Sequence, residues 1–97
     1  MAKRKHDEIA ENLAKKFGVK YKKHKGIDIV TRDRVIEVET TRNGIYQGIN
    51  QVKRSSKARY IAVNDRNIEH ALAATKGTGI GIMNEKGKIV KRARRKK

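Results

Sequence analysis

A chain of 97 residues, 36% of them apolar and only four aromatic (Phe17, Tyr21, Tyr46 and Tyr60), has material for one small domain, residues 1–97, with a modest core. Its 26 Lys and Arg against 10 Asp and Glu leave a net charge of +16, far beyond what solubility needs, and point to a polyanionic partner, nucleic acid first. The sequence has no cysteine for disulfides or thiolate metal sites and no apolar run of membrane-spanning length; its start, MAKRKHDEIAENL, lacks an apolar signal core, so a cytoplasmic, membrane-free protein is predicted.

In chain order, residues 1–6 read as a basic flexible arm and Asp7–Phe17 as a helix. Ile9, Ala10, Leu13, Ala14 and Phe17 recur at helical spacing on one stripe, and Gly18 supplies the stop. Asp7, Glu8 and Glu11 fall near the start, where acidic side chains suit the helix dipole. Val19–Lys25 alternates loosely and reads as a basic edge strand. Gly26–Thr41 reads as two short strands around the polar turn Thr31-Arg32-Asp33-Arg34. Arg42-Asn43-Gly44 reads as a break before a helix over Ile45–Ser56, with Ile45, Ile49 and Val52 inward and Gln47, Gln51 and Arg54 on another face. Ala58–Asn64 is the most continuous apolar run and reads as the central strand. Asp65 is the expected N-cap of a third helix, Arg66–Lys76, with Ile68, Ala71, Leu72 and Thr75 inward. Gly77-Thr78-Gly79 ends it. Ile80–Met83 and Lys88–Val90 flank Asn84-Glu85-Lys86-Gly87 as a last hairpin. Residues 91–97 are basic at six of seven positions and read as a flexible tail that touches phosphates.

The order is therefore helix, three strands, helix, strand, helix, two strands. A helix between the Gly26–Thr41 hairpin and the central strand is a crossover, which implies parallel pairing there. The expected fold is α/β, a mixed sheet with helices on its faces and a C-terminal β-hairpin.

Three of the ten acidic residues, Asp28, Glu37 and Glu39, sit inside the apolar strands of this hairpin, where propensity disfavours them. Glu37 and Glu39 share one face with Val35, roughly 7 Å apart along the strand, while Ile36 and Val38 face the other way. Asp28 lies between Ile27 and Ile29. If the strands pair, three carboxylates converge at one end of the sheet, and like charges so placed repel unless a cation joins them. A divalent metal on oxygen ligands accounts for the pattern. The plainer alternative is a solvated outer face of an edge hairpin. His6, His24 and His70 show no metal-ligand spacing. Gly77-Thr78-Gly79-Ile80-Gly81 looks faintly like a phosphate loop, but it follows a helix where such a loop follows a strand, and it reads as a helix stop.

Gly26-Ile27-Asp28 followed by Glu37-Val38-Glu39, in this order of elements, resembles the PD-(D/E)XK nuclease superfamily, the restriction-endonuclease-like fold with its αβββαβ core. The resemblance spans about Asp7 to Val90. It implies a magnesium-dependent endonuclease that hydrolyses DNA phosphodiesters, with manganese as a substitute ion. Asp28 and Glu37 would hold the metal, with the Val38 carbonyl as a further oxygen ligand. Glu39 would act as general base or additional ligand. Gln51 falls where related small nucleases often carry a Gln on the next helix. Glu8 falls where archaeal Holliday-junction resolvases and Mrr-like nucleases place a helix-1 Glu. By the same analogy, a homodimer on branched DNA is expected. Arg42 and Lys53 are candidates to position phosphate or water. Lys22, Lys23, Lys25, Arg54, Lys91, Arg92, Arg94 and Arg95 are candidates to touch the backbone. Glu39 stands where most members carry Lys, which leaves the water-activating group open and leaves room for a non-catalytic nucleic-acid binder on the same fold. An RNA-binding role is a third class, although few aromatics argue against base-stacking modules. A charged fraction of 37% with neither cysteine nor tryptophan also suits a thermophile.

Overall fold

The computed structural model describes residues 5–21 and 26–94. Its elements are α1 (Lys5–Phe17), β1 (Ile29–Val30), β2 (Arg34–Glu39), α2 (Arg42–Val52), β3 (Ala58–Val63), a 3-10 turn (Asp65–Asn67), α3 (Ile68–Ala74), β4 (Gly81–Met83) and β5 (Ile89–Lys91). The five strands form one mixed sheet in the order β1-β2-β3-β4-β5. Pairing is antiparallel at β1–β2 and β4–β5 and parallel at β2–β3 and β3–β4. The crossover helix α2 thus joins parallel neighbours, and the apolar run at Ala58–Val63 takes the central place that burial on both faces requires.

Alternation along the strands divides the core into two layers. Ile36 and Val38 of β2 with Tyr60 and Ala62 of β3 face α1, whose stripe Ile9, Ala10, Leu13 and Ala14 is buried against them. Val35 with Ile61 and Val63 faces the other way, where Ile45 and Val52 of α2 and Ala71 of α3 cover them. The result is one helix on one face of the sheet and two on the other. No helix among the described residues is long and apolar enough to cross a membrane.

Several boundaries differ from the sequence expectation. Lys5 and His6, expected in the arm, form the first turn of α1. Residues 19–21 form no strand, and Lys22, Lys23 and Lys25 lie outside the described residues. Arg42-Asn43-Gly44 does not break the chain but opens α2. Thr41, extended at φ −130°, accepts the Gly44 N–H on Oγ1 at 3.0 Å and so caps the helix three residues earlier than expected. Asp65 does not cap α3: the chain enters that helix through the 3-10 turn, tied down by Asn67, whose Nδ2 donates to the Thr40 carbonyl at 2.9 Å and to Asn64 Oδ1 at 2.7 Å. Lys91, expected in the tail, ends β5.

Candidate functional site

The β1–β2 ladder sets the site. Ile29 pairs with Ile36, so the next residues outward, Asp28 and Glu37, stand opposite one another. Backbone pairing stops there and the Asp28 side chain continues it, its Oδ2 accepting the Val38 N–H at 2.9 Å. Both carboxyls are buried, each 5% exposed. They are close enough to shift one another's pKa. Glu37 Oε2 is buried and has no hydrogen-bond partner among the described residues.

Glu37 and Glu39 both face α2, as their two-residue spacing requires. Two buried glycines of that helix make room. A Cβ at Gly48 would stand 3.0 Å from Glu39 Cγ and 3.2 Å from Glu37 Cγ, and one at Gly44 would meet Glu39 Oε1 at 2.5 Å. Both acids sit at the carboxyl end of β2, the end of parallel strands where open α/β sheets receive ligands.

From the α1 side comes a residue the sequence analysis left without a role. His6 Nε2 lies 3.2 Å from Asp28 Oδ2, and its Nδ1 lies 3.5 Å from Asp7 Oδ1. The Tyr21 hydroxyl donates to Asp7 Oδ1 at 2.8 Å and approaches His6 Nδ1 at 3.3 Å. The hydrogen bond to Asp28 pushes the His6 pKa up to about 9 against the opposing effect of burial, so its ring is an imidazolium at neutral pH, with both nitrogens as donors. Burial would raise Asp28, but hydrogen bonds with His6, the Glu37 carboxyl and the Val38 N–H outweigh it and hold the carboxyl below its ordinary value. Burial and the adjacent Asp28 carboxylate push Glu37 up to about 9, so Glu37 keeps its proton. Burial lifts Glu39 to about 7, with the charge of His6 pulling it down and that of Asp28 pushing it up.

The donor set suits a hard divalent cation. It offers carboxyl oxygens, among them Glu37 Oε2, which no described residue hydrogen-bonds. No three His, Asp or Glu side chains among the described residues are arranged to enclose an ion. Magnesium commonly takes one or two carboxylates and keeps its waters, so the Asp28–Glu37 pair is a sufficient protein share. An incoming cation has to displace the Glu37 proton and compete with the His6 charge.

The other candidates are placed as follows. Glu8 is exposed on α1, off the stripe that faces the sheet. Val38 buries its side chain under α1 and spends its N–H on Asp28. Gln51 is exposed and follows Gly48 by three residues, on the same line of α2 as Gly44. Arg42 is exposed at the start of α2, beyond Glu39. Lys53, Arg54, Lys91, Arg92 and Arg94 do not join the carboxylates; they gather at the other end of the sheet around Arg59. Arg95, like the lysines at 22, 23 and 25, lies outside the described residues. His6 and Arg59 were not singled out by composition or spacing. His6 precedes Ala10 by four residues and Leu13 by seven, which places it on the buried stripe of α1. Arg59 shares a strand face with Ile61 and Val63, a cation in the most apolar run of the chain.

No family model matches this chain, and comparison with curated proteins and with solved structures likewise finds no match.

Proposed function

We propose that the protein is a magnesium-dependent endonuclease acting on DNA phosphodiesters, with Asp28 and Glu37 as its metal ligands. The observation that carries this reading is the pair of buried, opposed carboxyls with one oxygen, Glu37 Oε2, left without a hydrogen-bond partner among the described residues. A buried acceptor in that state costs free energy unless a cation or a proton answers it. Bound magnesium would acidify a coordinated water and draw charge from the phosphate oxygens.

The chain's own residues would do the rest. His6 fixes the orientation of Asp28 through its 3.2 Å contact. Glu39, with a pKa of about 7, is matched to accept a proton from the attacking water at neutral pH. The water oxygen bonds to phosphorus as the ester oxygen leaves, and solvent returns a proton to that oxygen. The basic surface would hold the DNA backbone without reading bases. The resemblance in motif adds branched DNA as substrate and a homodimer as the working unit.

A second reading, a nucleic-acid binder that does not cleave, draws on the His6–Asp28 pair, which already neutralises one carboxylate without a metal. The two part company in one assay. Labelled linear and four-way DNA are incubated with and without magnesium, alongside Asp28→Ala. Magnesium-dependent cleavage that disappears in the variant is expected. Failure of the wild type to cleave any substrate ends the nuclease reading, and binding that ignores magnesium then favours the second.

A further inference from the structure

Arg59 stands on the same sheet face as Glu37 and Glu39 but at the other end of it. It pairs with Val35, whereas Glu37 pairs with Ile61 and Glu39 with Val63, so it lies two and four residues away, roughly 7 and 13 Å along the strands. The residue is 4% exposed. Its guanidinium donates to the carbonyls of Lys53 at 3.3 Å and Thr78 at 3.2 Å, and among the described residues no carboxylate pairs with it. Two carbonyls leave donors of the five-N–H fork unused, and a buried guanidinium without a counter-charge is costly.

Arg59 borders a cavity of about 840 Å³ that Lys76, Thr78, Lys91, Arg92 and Arg94 also line, with no acid among the lining residues. Lys91 Nζ is held by the Thr75 carbonyl at 2.8 Å, at the end of α3. Burial and the charge of Arg94 keep the Lys91 pKa below its ordinary value, so the cations already strain against one another. Holding the carbonyls of Lys53, Thr78 and Thr75 accounts for Arg59 and Lys91. It does not account for Lys76, Arg92 and Arg94, which are exposed and take no ion pair among the described residues. The loop that closes the cavity reaches Arg59 only because residue 79 is glycine: its φ is +77°, and a Cβ there would stand 3.0 Å from Arg59 Nη2.

We propose that this cavity is a binding site for a terminal phosphate, the dianionic group carried by the end of a nucleic-acid strand or by a free nucleotide. A planar guanidinium fork at the base of a concave site matches phosphate oxygens, and a cluster of further cations suits a group of charge near −2 better than a singly charged diester. Gly77-Thr78-Gly79 lies beyond the end of α3, which stops at Ala74 with Thr75 as its cap, and Gly79 shapes the wall against Arg59. The proposal does not depend on metal at the carboxylates.

The test is equilibrium binding in EDTA. One arm compares a short 5′-phosphorylated strand with the same strand ending in hydroxyl, and the other compares AMP with adenosine. A tenfold or greater preference for the phosphorylated member is expected in at least one arm, and the arm that shows it identifies the source of the phosphate. The preference is expected to vanish in the doubly substituted Lys76→Gln, Arg92→Gln, both exposed positions. It is expected to persist in Lys15→Gln, Lys20→Gln, which removes the same charge elsewhere on the surface. Equal binding within both pairs overturns the proposal, as does a preference that the Lys76, Arg92 variant retains.

Discussion

Glu37 carries a proton that the unfolded chain would release, and this ties stability to pH. Its pKa rises from 4.5 to about 9 on folding because burial and the neighbouring Asp28 penalise the anion. Stability from a raised pKa is complete below the unfolded value and is lost as pH climbs through the folded one. His6, raised from 6.5 to about 9, acts in the same direction. Asp28, lowered from 3.8, acts in the opposite direction and only at acid pH. Metal-free protein is therefore expected to lose on the order of a few kcal/mol between pH 6 and 9, read by urea denaturation at each pH. Glu37→Gln, which keeps shape and hydrogen-bonding capacity without the titration, should flatten that decline by about half. Magnesium should also flatten it in the wild type, since the cation takes the place of the proton. An unchanged profile in the variant would mean that Glu37 ionises freely in the folded state.

At the scale of the element, α2 is adapted to the acids beneath it. Glycine in a helix interior costs about 1 kcal/mol relative to alanine, so Gly48→Ala would ordinarily stabilise. Here the new Cβ would press on Glu39 Cγ at 3.0 Å and Glu37 Cγ at 3.2 Å. The overpacking, typically about 1–3 kcal/mol, is expected to cancel or exceed the helix gain. Gly48→Ala should thus be no more stable than wild type in chemical denaturation; a gain near 1 kcal/mol would show that the two acids can swing clear of the helix. The hairpin below was legible because its polar turn Thr31–Arg34 lies between alternating runs. The start of α2 was not. Gly44 read as a breaker, and only the capping geometry of Thr41, with its 3.0 Å bond to the Gly44 N–H, shows that the helix begins before it. The entry to α3 was missed for a similar reason: Asn67 satisfies backbone groups of another segment, and no local pattern encodes such a bond.

For the molecule as a whole, a net charge of +16 on 97 residues makes polyanion binding a counterion-release process. DNA affinity is expected to fall by about a thousandfold or more between 50 and 200 mM salt, measured by fluorescence anisotropy, as for six or more phosphate contacts. A fall of less than tenfold would remove the phosphate backbone as the main partner. Among the described residues the cations are not spread evenly. One group gathers around Arg59 at one end of the sheet, while the acids occupy the other end of the same face.

Periodicity settled the class of this protein before any coordinates. Period-two runs and a helical stripe specify which residues are buried, a crossover helix demands parallel strands, and Glu37 and Glu39 must share a face because a strand repeats every two residues. Tertiary structure decided what those faces meet. His6 reaches Asp28 from a helix twenty-two residues away in sequence, and Arg59 meets the carbonyls of Lys53 and Thr78 from two different loops. Such contacts depend on how helices seat against the sheet, a property of packed volumes that a one-dimensional repeat cannot express.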